Sequence, residues 1–182
     1  MLKPVAFWDA SVLVTLCVNQ TPTPLALVFE SKYRIAVWWA THVEIASALV
    51  RSLRQQDITA VEYAHARQQA EGLANLWDVI APSAKVARDA RTLLERYPLR
   101  AADALQLAAA LEWCEGEPKG MVFLTFDRRL REAAALAGFT LESLRAYSRA
   151  SSNSSCQAFE RAWLRASSRR RSSSSGSVAG QP

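Results

Sequence analysis

Residues 5–9 read Val-Ala-Phe-Trp-Asp, a short apolar run that ends in an acid, and residues 121–127 repeat this arrangement as Met-Val-Phe-Leu-Thr-Phe-Asp. Short apolar runs of this kind are typical of strands that are buried on both faces of a parallel sheet. A charged residue directly after such a run lies where the chain leaves the sheet. The two stretches therefore predict buried strands with a carboxylate, Asp9 or Asp127, at the end of each.

Helical and strand-like patterns alternate through the rest of the chain, with prolines and glycines at the breaks. We expect strands at residues 5–8, 35–38, 78–80, 121–126 and 139–141, and helices at residues 11–18, 24–32, 41–54, 57–76, 83–96, 100–115 and 127–138. This alternation predicts an α/β fold in which helices cover both faces of a parallel sheet. Active sites in such folds lie beyond the carboxyl ends of the strands.

Four carboxylates are expected at this edge of the sheet. Asp9 and Asp127 follow strands, whereas Glu44 and Asp103 are isolated acids in apolar stretches near predicted helix starts. Each has an ordinary structural explanation. Asp9 and Asp127 fit helix N-caps. Thr41-x-x-Glu44 fits a capping box, and Asp103 fits the positive end of a helix dipole. Taken together, the four acids are predicted to converge on one edge of the sheet.

The motifs of several other enzyme classes are missing from the sequence. It contains no Gly-rich phosphate-binding loop and no G-x-S-x-G elbow, and its two histidines lie outside any H-E-x-x-H. Carboxylate chemistry is the option that remains. Carboxylates within ~4 Å of one another repel by roughly 4 kcal/mol per pair at an effective dielectric constant of about 20. Such a cluster favours a hard divalent cation, Mg²⁺ or Mn²⁺, over zinc.

The residues around the four acids resemble those of a known family, the PIN-domain ribonucleases. Order, spacing and flanking residues agree with the four acidic motifs of that family. The matching segments are Asp9-Ala-Ser11, Val-Glu44-Ile-Ala-Ser-Ala-Leu, Arg100-Ala-Ala-Asp103-Ala-Leu-Gln-Leu-Ala and Leu-Thr125-Phe-Asp127. Within the family, the chain is most similar to the toxins of bacterial VapBC toxin–antitoxin pairs. The resemblance implies a PIN-like three-layer α/β/α domain at residues 1–144, with a five-stranded parallel sheet.

The resemblance also implies an activity and a site. The activity is that of a Mg²⁺-dependent endoribonuclease, with Mn²⁺ as a substitute cation. Asp9 and Asp103 would be the principal metal ligands and catalytic residues. Glu44 and Asp127 would complete the catalytic and metal-binding site, directly or through waters.

Supporting residues and partners follow from the same resemblance. Ser11 and Thr125 would orient the carboxylates. The implied partners are an RNA substrate, a small cognate antitoxin protein and a second copy of the chain in a homodimer. Two other functions stay open from the residues alone. One is a catalytically inert RNA-binding module that uses the basic tail, and the other is a structure-specific DNA nuclease with the same site.

The carboxyl-terminal part of the chain differs from the rest in charge. Residues 1–144 carry 15 Lys and Arg against 16 Asp and Glu, whereas residues 145–182 carry seven arginines and one acid. The pI of 9.4 is therefore a property of this tail. Residues 151–182 also include 11 serines, a composition that predicts a disordered basic segment at 145–182. An RNA-contacting arm is the alternative, and residues 159–164 fit one short amphipathic helix.

Length and composition agree with one globular domain that carries a tail. The chain has 182 residues, of which 50% are hydrophobic and 21% charged. No apolar run approaches the ~18 residues that a transmembrane helix needs. The three cysteines are widely spaced and form no C-x-x-C, a pattern that favours a reducing compartment. We therefore expect a cytoplasmic protein that does not enter a membrane.

Overall fold

The computed structural model describes residues 2–18 and 24–143, in which helices and strands alternate. The bounds are β1 Val5–Trp8, α1 Ala10–Cys17, α2 Pro24–Lys32, β2 Arg34–Trp38, α3 Thr41–Arg54, α4 Ala60–Ala74, β3 Trp77–Ile80, α5 Ala84–Arg96, α6 Ala101–Trp113, β4 Val122–Leu124, α7 Arg128–Leu136 and β5 Thr140–Leu141. The tail at 145–182 and its candidate helix lie outside the described residues. Within those residues, no helix is both long and apolar enough to cross a bilayer.

The strands form one parallel sheet in the order β3-β2-β1-β4-β5. From β1 the chain builds outward to β2 and β3 on one side, and it then returns to add β4 and β5 on the other. The direction of building therefore reverses between β1 and β4, which is where open α/β sheets bind their ligands. The α/β/α fold with a five-stranded parallel sheet is confirmed.

Two apolar layers cover the sheet, and β1 contributes to both because its side chains alternate between the faces. Ala6 and Trp8 pack in the layer formed with α1 to α4. Phe7 packs in the layer formed with α5 to α7 and stacks on Phe123 of β4, with ring centroids 5.2 Å apart. The central strands are thus buried on both faces, which explains their continuous apolar runs.

Two of the element boundaries that differ from the sequence prediction have a clear cause, a long-range contact in one case and a helix cap in the other. β4 ends at Leu124 instead of residue 126, and the backbone N–H of Phe126 donates to the Ser11 hydroxyl rather than to a neighbouring strand. The helix expected from residue 57 begins at Ala60 instead. Thr59 is its N-cap and takes part in a capping box, which sets the first turn at this point.

Candidate active site

Two aspartates follow neighbouring strands at the carboxyl edge of the sheet. Asp9 comes directly after β1, and its backbone N–H donates to the carbonyl of Leu124 in β4 at 2.9 Å. Its side chain caps α1 by accepting from the Ser11 N–H at 3.2 Å. Asp127 follows β4 and caps α7 by accepting from the Leu130 N–H at 2.9 Å. Both aspartates are therefore helix caps, and both caps lie beside the point where the strand order reverses.

Two hydroxyls connect the ends of β1 and β4 through Asp9. Its Oδ2 accepts from the hydroxyls of Ser11 and Thr125, the latter at 2.9 Å. The Ser11 hydroxyl accepts in turn from the N–H of Phe126 at 2.9 Å. The Thr125 hydroxyl accepts from the N–H of Asp127 at 3.0 Å. Because these bonds converge on one oxygen, they hold the carboxylate of Asp9 in a single orientation.

Glu44 and Asp103 reach the same edge from helices. Besides burial, the charges of Asp9 and Asp103 raise the pKa of Glu44. Those of Asp127 and Asp9 do the same for Asp103, so the helical acids lie near the two that follow strands. Glu44 lies in the first turn of α3, and Asp103 lies in the first turn of α6. Oδ2 of Asp103 accepts from the backbone N–H of Arg100 at 3.3 Å. The fold therefore brings all four acids to the edge where the sequence analysis expects them.

The capping box expected at Thr41 and Glu44 is wrong. α3 is preceded by Ala40, which makes no side-chain cap bond. Oε2 of Glu44 accepts instead from Nε2 of Gln106 on α6 at 3.0 Å. The same Nε2 lies 3.4 Å from the Thr41 hydroxyl oxygen. Glu44 is thus bonded across to a second helix rather than back to the start of its own.

Gln106 is a site residue that the sequence analysis missed. Its side chain is 1% exposed, and the neighbouring Ala104, Leu107 and Ala108 are buried and apolar. The sequence does contain a feature that points to Gln106, because it is an isolated polar residue in an apolar helical stretch. It also follows Asp103 by three positions, so both lie on the same face of α6.

Burial and mutual repulsion raise the pKa values of three of the acids. Burial raises the pKa of Asp9, bonds from Ser11 and Thr125 partly offset that rise, and the charge of Asp127 adds to it. Burial raises the pKa of Asp103 to about 6, with further contributions from Asp127 and Asp9. The four carboxylates therefore act on one another electrostatically.

The pKa of Glu44 is also raised. Burial, followed by the charges of Asp9 and then Asp103, raises its pKa to about 7, and the bond from Gln106 partly opposes this rise. A carboxyl with a pKa near neutrality carries a substantial cost when it is ionised in the folded chain. A cation at this edge would relieve that cost.

The salt bridges of the described residues lie elsewhere in the domain. Within residues 2–18 and 24–143, none of the four edge acids forms one, although the charge of Arg100 partly offsets the raised pKa of Asp103. In the same ranges, no three His, Cys, Asp or Glu side chains are grouped so that they could hold a metal ion by themselves. Mg²⁺ usually keeps several waters and takes one or two carboxylates, so this oxygen-only donor set suits it.

A known family model matches most of this α/β/α domain. The family model described as PIN domain matches residues 6–136. The chain belongs to the PIN-domain family.

Individual relatives point to one branch of this family. The chain is 33% identical over 139 residues to Ribonuclease VapC45 of Mycobacterium tuberculosis, a match that covers 74% of this chain and 92% of the relative. The resemblance to VapC-type PIN-domain proteins is thereby confirmed.

Solved structures agree on the fold. The crystal structure of PAE2754 from Pyrobaculum aerophilum matches with a TM-score of 0.54 and 22% identity, covering 76% of this chain and 89% of that one. The structure of VapBC2 from Rickettsia felis bound to a DNA fragment from their promoter matches with a TM-score of 0.50 and 14% identity, covering 76% of this chain and 97% of that one.

Proposed function

We propose that the protein is a metal-dependent endoribonuclease whose active site is the acidic edge formed by Asp9, Glu44, Asp103 and Asp127. One observation carries the proposal: in a PIN-domain chain, four acids lie at the strand reversal with no salt bridge to any of them in the described part of the chain. Retaining like charges together costs stability, and such a cost is typical of a functional site. The name Ribonuclease VapC45, borne by a relative, supports RNA as the substrate.

The donor chemistry indicates Mg²⁺, with Mn²⁺ as a substitute. We assign Asp9 and Asp103 as the principal ligands, and Glu44 and Asp127 as acids that act on the ion directly or through waters. When bound, such a cation lowers the pKa of water and stabilises the negative charge that develops on a phosphate. Carboxylates alone would repel an RNA phosphate, so the cation is needed for substrate binding as well as for chemistry.

Two hydroxyl side chains beside the acids orient the proposed metal ligands. The hydroxyls of Ser11 and Thr125 hold the Asp9 carboxylate through Oδ2. Thr125 also accepts from the N–H of Asp127, so one side chain links two of the acids. Groups that orient metal ligands in this way commonly change activity by roughly 10–100-fold when they are removed.

The test uses the full chain, a pool of total cellular RNA and three conditions: Mg²⁺, EDTA, and Mg²⁺ with Asp9→Asn. Cleavage is expected in the first condition only, with 5′-phosphate at the new ends. Asp78→Asn, the same substitution at an exposed ion pair, serves as the matched control and keeps activity. Cleavage that survives both EDTA and Asp9→Asn would overturn the proposal.

The same assay separates the alternative functions. RNA binding that is indifferent to Mg²⁺ and is lost with Arg169–Arg171, without cleavage, would identify an inert binding module. Cleavage of flapped DNA but not of RNA would identify a structure-specific DNA nuclease.

We further propose that the protein is the toxin of a pair, held inactive in the cytoplasm by a small antitoxin protein, and that it forms a homodimer. The VapC name of the mycobacterial relative supports the pairing. Co-expression with the small protein encoded beside the gene is expected to yield a complex that does not cleave RNA. Light scattering of the purified chain is expected to give twice the monomer mass. A monomer, or the absence of any complex, would contradict the respective proposal.

A further inference from the structure

Gln106 forms a bridge between two helices at the acidic edge. Its Nε2 donates to Oε2 of Glu44 at 3.0 Å, and the same nitrogen lies 3.4 Å from the hydroxyl oxygen of Thr41. Thr41 and Gln106 are both buried, at 0% and 1% exposure. The bridge spans more than sixty positions of sequence and joins α6 to α3.

The two helices present matched pairs of residues to each other. Asp103 and Gln106 are three positions apart on α6, and Thr41 and Glu44 are three positions apart on α3, so each pair lies on one helix face. The charge of Asp103 acts on Glu44, as its contribution to the raised pKa of Glu44 shows. The amide of Gln106 thus lies beside two of the acids assigned to the metal site.

Packing does not explain why a glutamine occupies this position. The neighbouring side chains Ala104, Leu107 and Ala108 are buried and apolar. Oε1 of Gln106 is buried, and no hydrogen-bond partner for it is found among the described residues. An unpaired buried carbonyl opposes folding, a cost that an apolar residue of the same size would avoid. A polar group that is retained at such a cost in the middle of a core indicates a functional role.

We propose that Gln106 is a positioning residue of the active site: its amide N–H holds the carboxylate of Glu44 in the orientation in which Glu44 and Asp103 act together on the divalent cation. The proposal rests on the proposed function, because it assumes that a cation binds at this edge. Gln106 itself touches neither the cation nor the RNA. It acts through Glu44, as groups that hydrogen-bond to metal ligands generally do.

The experiment measures Mn²⁺ affinity of the full chain by electron paramagnetic resonance, in a double-mutant cycle. The variants are Gln106→Met, Glu44→Gln and the two combined. Methionine matches the length of glutamine and packs without a polar atom. Gln68→Met, the same substitution on the exposed surface of α4, is the matched control.

Gln106→Met is expected to weaken Mn²⁺ binding by roughly 10–100-fold, whereas Gln68→Met leaves it unchanged. In the Glu44→Gln background, adding Gln106→Met is expected to change the affinity by less than about twofold, because two residues that act as a unit are not additive. The melting temperature of metal-free Gln106→Met is expected to equal or exceed that of the wild type.

Equal losses of affinity in both backgrounds would show that Gln106 acts through packing and would overturn the proposal. Unchanged Mn²⁺ affinity in Gln106→Met would also overturn it, while leaving the proposed nuclease site intact. A wild-type chain that binds no Mn²⁺ would overturn this inference and the proposed function together. If Gln106→Met does not fold, Gln106→Asn replaces it in the cycle, since it withdraws the amide by about 1.5 Å, the length of one C–C bond.

Discussion

The carboxyl edge of the sheet and its opposite edge hold their acids in contrasting ways. At the carboxyl edge, Asp9 is bonded to hydroxyls and backbone, and both its burial and the charge of Asp127 oppose its ionisation. Toward the opposite edge, Arg34 at the start of β2 pairs with Asp78 of β3 at 2.9 Å, and both side chains are about half-exposed. One region keeps like charges together, and the other pairs opposite charges in water.

The two groups of acids differ in how they affect the stability of the domain. An exposed ion pair contributes about 0–1 kcal/mol to stability, so the pair of Arg34 and Asp78 is close to neutral. Buried carboxylates that repel one another oppose folding, and the cation that we propose would offset this repulsion. Aspartate therefore forms an ordinary ion pair near one edge and part of the proposed active site at the other.

The largest effect is expected when the charge of Asp103 is removed. Asp103→Asn should lower the rate of RNA cleavage by roughly 10²–10³-fold, the usual cost of losing one group that serves to stabilise charge in the transition state. The metal-free variant should melt at the same temperature as the wild type or higher, because self-repulsion is reduced and the amide oxygen can still accept from the Arg100 N–H. A clear loss of melting temperature would instead assign Asp103 a purely structural role.

Cation binding should stabilise the domain through the carboxyl edge. A ligand that binds only the native state at 100 times its Kd raises the free energy of unfolding by about 2.7 kcal/mol. Thermal melts with and without Mn²⁺ should show this gain in the wild type and little of it in Asp9→Asn. An equal gain in both proteins would place the cation somewhere other than this edge.

The pH dependence of stability should distinguish Glu44 from ordinary surface acids. Its pKa rises from the ordinary value of 4.5 to about 7. In that interval the native chain therefore binds a proton that the unfolded chain has released. The stabilisation is present in full below pH 4.5, and it is lost as the pH rises through about 7.

Urea unfolding of the metal-free wild type and of Glu44→Gln at a series of pH values measures this contribution. The difference in unfolding free energy between the two proteins isolates Glu44 from the other titrating groups. That difference should change across the interval, with the wild type losing stability relative to the variant as the pH rises. Parallel pH profiles for the two proteins would contradict the prediction.

The smallest effect is expected at Asp78, the acid that pairs with Arg34. Asp78→Asn should change the free energy of unfolding by less than about 1 kcal/mol, and the change should shrink further at high salt. RNA cleavage should be unaffected. A loss of activity in this variant would show that Asp78 contributes to function, as the acids of the carboxyl edge are proposed to do.

The sequence was sufficient to predict the fold and the edge of the sheet at which the four acids lie. The runs that become β1 and β4 are apolar throughout and end near Asp9 and Asp127, so strand identity and edge position could both be predicted. The position of Glu44 was expected correctly, but its partner was not. A capping box is a local pattern, whereas the bond that Glu44 makes comes from Gln106, 62 positions away.

Tertiary contacts also explain why the limits of β4 were misjudged. Thr125 and Phe126 continue an apolar, strand-like pattern, so the sequence predicts that the strand includes them. In the structure their polar groups bond to Asp9 and Ser11 instead of to a neighbouring strand. Side-chain hydrogen bonds between residues more than a hundred positions apart produce no periodic pattern in the sequence. Only the three-dimensional structure shows them.

The hydrogen bond between Asp9 and Thr125 joins residues separated by 116 positions. During synthesis, Asp9 and Glu44 emerge from the ribosome well before Asp103 and Asp127 have been translated. At about 5–20 residues per second, the chain grows for several seconds with β1 lacking β4 beside it. The acidic edge therefore cannot assemble on a nascent chain until nearly the whole domain has been made. An incomplete chain therefore lacks the edge that we propose as the active site.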